Sequence, residues 1–183
     1  MEWIIVAVVV GLLIWAVVIY NRLVEKRKRV DTAWSDIDVQ LTRRHDLVPN
    51  LVDVVKAYVG HERQTLESVT ELRARALRTD SPAELGKIEN DLEQLLSRLL
   101  VLEESYPDLK ASTNFTDLSA KLVEVENHLV YARRYYNGAV RDLNTLVGQF
   151  PDLLVARLFG FGEAEFYSAE DRHRPAPGVE LKT

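Results

Sequence analysis

The fold is decided by residues 115–150, which read FTDLSAKLVEVENHLVYARRYYNGAVRDLNTLVGQF. Apolar or aromatic side chains recur in this stretch at alternating spacings of three and four residues. All eleven positions of the register fit: Phe115, Leu118, Leu122, Val125, Leu129, Ala132, Tyr136, Ala139, Leu143, Leu146 and Phe150. A mean spacing of about 3.5 residues is typical of helices that pack with a left-handed crossing, as in coiled coils and up-down bundles. The stretch therefore predicts one long helix with one apolar face.

Two earlier tracts carry the same spacing. The seven positions of the second tract, from Leu85 to Tyr106, are all apolar or aromatic, and the first tract, from Val30 to Ala76, fits at eleven of fourteen. We find no alternating strand pattern of useful length. The sequence therefore predicts an all-α protein whose residues 22–150 form an antiparallel up-down helical bundle.

Helix boundaries are marked between the tracts. Ser81, Pro82 and Glu84 form a capping box with proline at the first helical position. Ser112 or Asn114 can cap the third tract in the same way.

Pro49 leaves the first tract ambiguous. The heptad phase passes through it undisturbed, which favours one long helix kinked at Pro49. Length balance favours a reversal between Asp46 and Pro49, which would give four helices of comparable length, and this is the arrangement that we prefer. With four helices Phe159 would return to the membrane, whereas with one long helix it would point into the cytosol.

Residues 3–20, WIIVAVVVGLLIWAVVIY, contain no charge. As a helix they would extend roughly 27 Å, close to the ~30 Å thickness of a bilayer core. A cleaved signal peptide would need a basic start, but Met1 and Glu2 precede the run, and no small residues mark a cleavage site. We expect residues 1–21 to be a transmembrane anchor.

A basic cluster follows the span directly, formed by Arg22, Lys26, Arg27, Lys28 and Arg29. The positive-inside rule then predicts a single-pass protein with its N-terminus outside and its C-terminal domain in the cytoplasm. The same cluster is a candidate for binding anionic lipid headgroups.

The composition excludes several functions. The 183 residues are 47% hydrophobic and 28% charged, with a net charge of −5 and no cysteine. These values argue against a nucleic-acid binder, a disulfide scaffold and thiol chemistry. Four histidines occur without a metal-binding spacing, and no nucleotide or nucleophile motif is present. We therefore expect a non-enzymatic protein with no catalytic residues, cofactor or metal, and hold a carboxylate/histidine enzyme site as a remote alternative.

Arg44 and Glu62 occupy core-type heptad positions. Buried charges are costly unless they are paired, so the two residues are candidates for a buried polar layer that fixes register or binds a ligand. The alternative is that both extend to solvent at the rim of the bundle. A second cluster, Tyr131, Arg133, Arg134, Tyr135 and Tyr136, is interpreted as core tyrosines between solvated arginines.

The C-terminal part divides in two. Residues 151–167 form a short apolar segment that either covers the end of the bundle or contacts membrane or a neighbouring subunit. The candidate contact residues are Leu153, Leu154, Leu158, Phe159 and Phe161. Residues 168–183 are predicted to be a disordered tail.

Several stretches resemble the LemA family. They are residues 20–24 leading into 29–41, the specific signature RRHDLVPNLV at 43–52, YPDLKAS at 106–112, and Phe159-Gly160-Phe161. The resemblance covers about residues 1–167. It implies a bacterial protein with one N-terminal membrane helix, a cytoplasmic antiparallel helical bundle and no assigned catalytic residues. Magnetosome membrane proteins are among its relatives, which suggests a role in membrane organisation.

These observations predict a scaffold or assembly protein in the bacterial inner membrane. Its expected partners are membrane lipid, further copies of itself and a membrane protein. Leu96 and Leu100 widen the apolar face of the second tract and motivate the expected homo-oligomer. The alternative is an accessory subunit or adaptor of a membrane enzyme or quality-control protease complex.

Overall fold

The computed structural model of the protein describes residues 1–59 and 62–167. Within these ranges the chain contains no strand, so the predicted all-α class is confirmed. The helices are α1 (Glu2–Tyr58), α2 (Arg63–Ala76), α3 (Pro82–Val101), α4 (Pro107–Lys110), α5 (Thr113–Gly148) and α6 (Asp152–Leu158). The predicted disordered tail, 168–183, lies outside the described residues.

Helix α1 continues through Pro49, so the predicted reversal between Asp46 and Pro49 is wrong. Proline has no amide hydrogen, which leaves the carbonyl of His45, four residues earlier, without its helical partner. Arg73 replaces that partner, because its Nε donates to the His45 carbonyl oxygen at 2.7 Å. A side chain from α2 therefore stabilises the proline inside α1.

The first heptad tract is divided after Tyr58 instead, where α1 ends, and α2 begins five residues later at Arg63. Arg73 of α2 lies beside His45 of α1, so α2 runs back along α1. This additional reversal explains why Phe159 packs against Tyr20 even though α1 is one long helix. We expected a long first helix to carry Phe159 away from residues 3–20, and the structure places Phe159 beside Tyr20 instead.

Helices α1 and α5 lie antiparallel. Lys26 pairs with Asp142 at 2.9 Å, and Arg43, farther along α1, faces Glu124 at 3.9 Å. The predicted caps are present, because Ser81 accepts from the Glu84 amide and Ser112 accepts from the Phe115 amide, each at 3.4 Å.

The apolar core consists of two clusters along this axis. The proximal cluster, which lies next to the uncharged residues 3–20, includes α1 residues from Ile19 to Leu41 and α5 residues from Val125 to Val147. The distal cluster includes α1 residues from Val48 to Val55 and Val59 directly after α1, together with parts of α2, α3, α4 and α5. The α1 residues between the two clusters include Arg44 and His45, both buried.

Candidate functional site

A buried ion pair joins α1 to α3 between the two apolar clusters. Arg44 is 1% exposed and Glu89 is 0% exposed. Arg44 Nη1 donates to Glu89 Oε2 at 2.9 Å, and His45 Nε2 donates to Glu89 Oε1 at 2.6 Å. Both carboxylate oxygens therefore have a donor, as a buried charge requires.

Two α5 residues extend this pair towards solvent. Glu126 pairs with Arg44 Nη2, and Arg133 Nη1 lies 3.7 Å from Glu126 Oε1. Arg133 also pairs with Glu93 of α3 at 3.1 Å. We call the six residues the ionic layer: Arg44, His45, Glu89, Glu93, Glu126 and Arg133. The layer links α1, α3 and α5 through neighbouring charges of opposite sign.

The pKa values of Glu89 and Arg44 in the ionic layer are both shifted from their ordinary values. Burial by itself would raise the pKa of Glu89, but the hydrogen bond from His45 and the charge of Arg44 outweigh it and lower that pKa. Burial lowers the pKa of Arg44, an effect that the charge of Glu89 opposes. Glu89 is therefore an ionised carboxylate with both oxygens occupied, which suits a structural role better than proton transfer.

The structure places the two predicted polar-layer residues apart. Arg44 lies in the ionic layer, as its heptad position indicated. Glu62 lies just before α2, partly exposed, and accepts a hydrogen bond from Thr65 Oγ1 at 3.1 Å. The partner that the sequence reasoning missed is Glu89. Its signal was its place one heptad before Leu96, on the widened apolar face of the second tract.

An extended segment, residues 161–167, covers the proximal part of α5, and we call it the strap. Asn144 exchanges two hydrogen bonds with the backbone of Ala164, at 2.9 and 2.8 Å. Asn137 does the same with Tyr167, at 3.1 and 2.9 Å. Seven helical residues rise about 10 Å, and three extended residues span about the same distance. The distance between Asn137 and Asn144 along α5 therefore matches the distance between Tyr167 and Ala164 along the strap.

The strap ends beside the ionic layer. Tyr167 is fully buried, its ring lies against Trp34 at 6.3 Å between centroids, and the guanidinium of Arg133 lies 5.4 Å from its centre. Burial raises the pKa of Tyr167 to about 12. Its hydroxyl has no hydrogen-bond partner among the described residues. Tyr167 therefore contributes an apolar ring that closes the layer on the proximal side.

The aromatic–basic cluster on α5 differs from its prediction. Tyr136 is buried and donates to the Glu165 carbonyl at 2.9 Å. Tyr131 and Tyr135 are exposed instead of belonging to the core, and they line a cleft with Val39 of α1. Arg133, expected in solvent, lies largely buried in the ionic layer. The interpretation as core tyrosines between solvated arginines is therefore wrong for these three residues.

The N-terminal part of α1 is a membrane-compatible helix with a mean hydropathy of 2.8 over its most apolar window, and it is almost entirely exposed. The basic cluster follows this window. Lys26 pairs with Asp142, Arg22 lies 4.0 Å from Asp152, and Lys28 and Arg29 pair with acidic residues of α1 itself. The contacts of Lys26 and Arg22 therefore join the start of the helical domain to α5 and α6.

The C-terminal candidates lie beside the end of this apolar stretch. Tyr20 packs edge-on against Phe159 and Phe161, at 4.9 and 5.7 Å between centroids. Leu153 and Phe161 are partly buried, whereas Leu154, Leu158 and Phe159 are exposed.

Leu96, which motivated self-association, is buried within its own chain, so it offers no surface to a second copy.

In the described part of the chain, no group of three His, Asp or Glu side chains is arranged to hold a metal ion.

Together, the exposed apolar helix and the buried ionic layer define a class, an all-helical protein with one helix able to cross a membrane.

The chain belongs to the LemA family, whose model matches residues 33–181. It is 25% identical over 158 residues to Protein LemA of Metamycoplasma hominis, covering 84% of this chain and 71% of that protein. It is 23% identical over 177 residues to Magnetosome protein MamQ 2 of Paramagnetospirillum magneticum, covering 81% of this chain and 64% of that one. The chain therefore spans about two thirds of the length of these relatives.

Proposed function

We propose that this protein is a non-enzymatic scaffold, anchored in the bacterial inner membrane by residues 3–20, that carries a helical up-down bundle as a stem in the cytoplasm. The continuity of α1 carries this proposal, because one helix forms both the exposed apolar segment and the core of the helical domain. The basic cluster at residues 22–29 supports the cytoplasmic side for the stem. The names of the relatives support a membrane role, since three of them are magnetosome proteins.

The orientation is testable with single cysteines, because the chain has none of its own. We would label Glu2→Cys and Val101→Cys in intact cells with a membrane-impermeant maleimide. Position 2 should react in intact cells, and position 101 should react only after the membrane is permeabilised. The reverse pattern would contradict the proposed orientation, and reaction of both positions would contradict single-pass anchoring.

Self-association is part of the proposal and is supported by exposed apolar side chains on the face shared by α1 and α5. Val39, Tyr131 and Tyr135 line one open cleft there. We expect Tyr131→Glu with Tyr135→Glu to lower the oligomer mass measured by light scattering in detergent across a concentration series. Val101→Glu is the matched control at an exposed site on α3. A monomeric wild type at every concentration would contradict self-association.

A second candidate function is an adaptor or accessory subunit of a membrane enzyme or protease complex. It is favoured by an open cleft of about 860 Å³ between α1 and α2, at the end of the stem far from residues 3–20. Val52, Val59 and Leu66 supply apolar lining there. A stoichiometric enzyme that copurifies with the wild type but not with Val52→Arg would favour this function over the self-associating scaffold.

A further inference from the structure

A group of exposed apolar side chains lies on α6 and the turn before it. Leu154 and Leu158, one helical turn apart, are 56% and 78% exposed, and Phe150 and Phe159 are also exposed. The opposite face of α6, with Val155 and Ala156, is buried against the rest of the protein. We call the exposed group the α6 surface: Phe150, Leu154, Leu158 and Phe159.

The position of the α6 surface along the stem is fixed by three contacts. Phe159 and Phe161 pack on Tyr20, which is the last residue of the uncharged stretch of α1. Arg22, two residues later, lies 4.0 Å from the buried carboxylate of Asp152 at the start of α6. A membrane-spanning helix places such an aromatic residue at the level of the lipid headgroups. The α6 surface lies at the same level.

The surroundings of the α6 surface match a bilayer. Arg22, Arg27 and Arg157 are exposed basic residues on α1 and α6, the charge that favours anionic headgroups. Amphipathic helices whose polar side carries basic residues lie in the interface between headgroups and acyl chains. The α6 surface is also continuous, through Tyr20, with the exposed apolar side chains of the span. A second copy of the chain would have to displace lipid from this position.

We propose that the α6 surface inserts into the headgroup region of the bilayer that α1 spans, so that the protein touches the membrane at two sites. This inference rests on the proposed anchoring of residues 3–20. A single spanning helix leaves tilt and rotation to its packing and interfacial anchors. The second contact fixes both, and the stem then holds one orientation relative to the membrane.

The test uses nitroxide spin labels on single cysteines at positions 158, 13 and 101 of the full chain in liposomes that contain anionic lipid. For each label, power saturation compares collision with oxygen, which concentrates in lipid, and with a water-soluble nickel chelate. Leu13 lies within the apolar stretch, and Val101 is the matched control, an exposed apolar residue 61% accessible on α3. Circular dichroism checks that the exposed substitutions leave the helix content unchanged.

We expect the oxygen-to-nickel ratio at position 158 to be several-fold higher than at position 101 and to approach that at position 13. A lipid-like ratio at 13 with a water-like ratio at 158 would overturn the second contact and leave the anchor intact. A water-like ratio at 13 would overturn the anchor, and this inference with it. A label at 158 shielded from both reagents, with broadening that grows with the protein-to-lipid ratio, would assign the α6 surface to a second copy and overturn lipid contact.

Discussion

The proximal and distal halves of the stem cover the apolar faces of α1 and α5 with different elements. In the distal half, apolar faces of α1, α2, α3 and α5 cover one another. In the proximal half, the α1–α5 pair is covered largely by α6 and the strap, which come last in the chain. Helices satisfy their own backbone groups, but an extended strap cannot, so it needs the amides of Asn137 and Asn144. An extended segment that covers a helix pair therefore needs polar side chains on the helix that bond its backbone groups.

The ionic layer lies where the two halves meet, and breaking it should have the largest effect. Glu89→Ala would leave Arg44 buried without its main partner, and we expect a loss of about 3–5 kcal/mol in the free energy of unfolding. The measurement is denaturation in detergent followed by circular dichroism. The double variant Arg44→Met with Glu89→Leu should recover most of the loss. A double variant as unstable as Glu89→Ala would contradict a purely electrostatic cause.

The strap offers a substitution that should act on the proximal half alone. Tyr167→Ala removes a fully buried ring beside Trp34, and we expect a loss of about 3 kcal/mol. Hydrogen exchange should rise in the proximal segments of α1 and α5 more than in the distal part of α3, from Leu92 to Leu99. Tyr167→Phe is the matched control, because the hydroxyl has no partner among the described residues and its removal should cost little. Uniform loss of protection along α1 would contradict the division into two halves.

The proline in the distal half tests how α2 supports α1. Arg73→Met removes the donor to the His45 carbonyl, and we expect a loss of about 1–2 kcal/mol in the free energy of unfolding. In a Pro49→Ala background the helix regains its own donor, so the same substitution should cost less. Equal costs in both backgrounds would show that Arg73 acts independently of Pro49.

The smallest expected effect is the acid sensitivity of the ionic layer. The pKa of Glu89 is lower in the folded protein than in the unfolded chain, where it is about 4.3. Its contribution to stability is therefore complete above that pH and is lost as the pH falls through the folded pKa. The unfolding free energy should fall by at most about 1.4 kcal/mol per pH unit from this group. Glu89→Gln should flatten the slope below pH of about 4.3, and an unchanged slope would assign the acid sensitivity to other carboxylates.

Local patterns were sufficient for the all-α class and the Ser81 cap, because spacing and capping depend on neighbours in sequence. They left Arg44 open between burial and the rim of the bundle, because the partner that permits its burial is Glu89, on a different helix. The continuity of α1 was not predictable, since the donor that compensates Pro49 is Arg73, on a different helix. Glu89 was missed because a charged residue beside the heptad positions usually faces solvent. The strap was missed because its signal is indirect: two asparagines, Asn137 and Asn144, one heptad apart on α5.

The strap also determines where the remaining chain begins. It runs from the membrane-proximal end back along α5 and ends with Tyr167 against Trp34, roughly 21 Å along α1 from Tyr20. The described part of the chain therefore ends at the side of the stem, away from both of its ends. A fluorophore or affinity tag fused to the C-terminus would be tethered at that height.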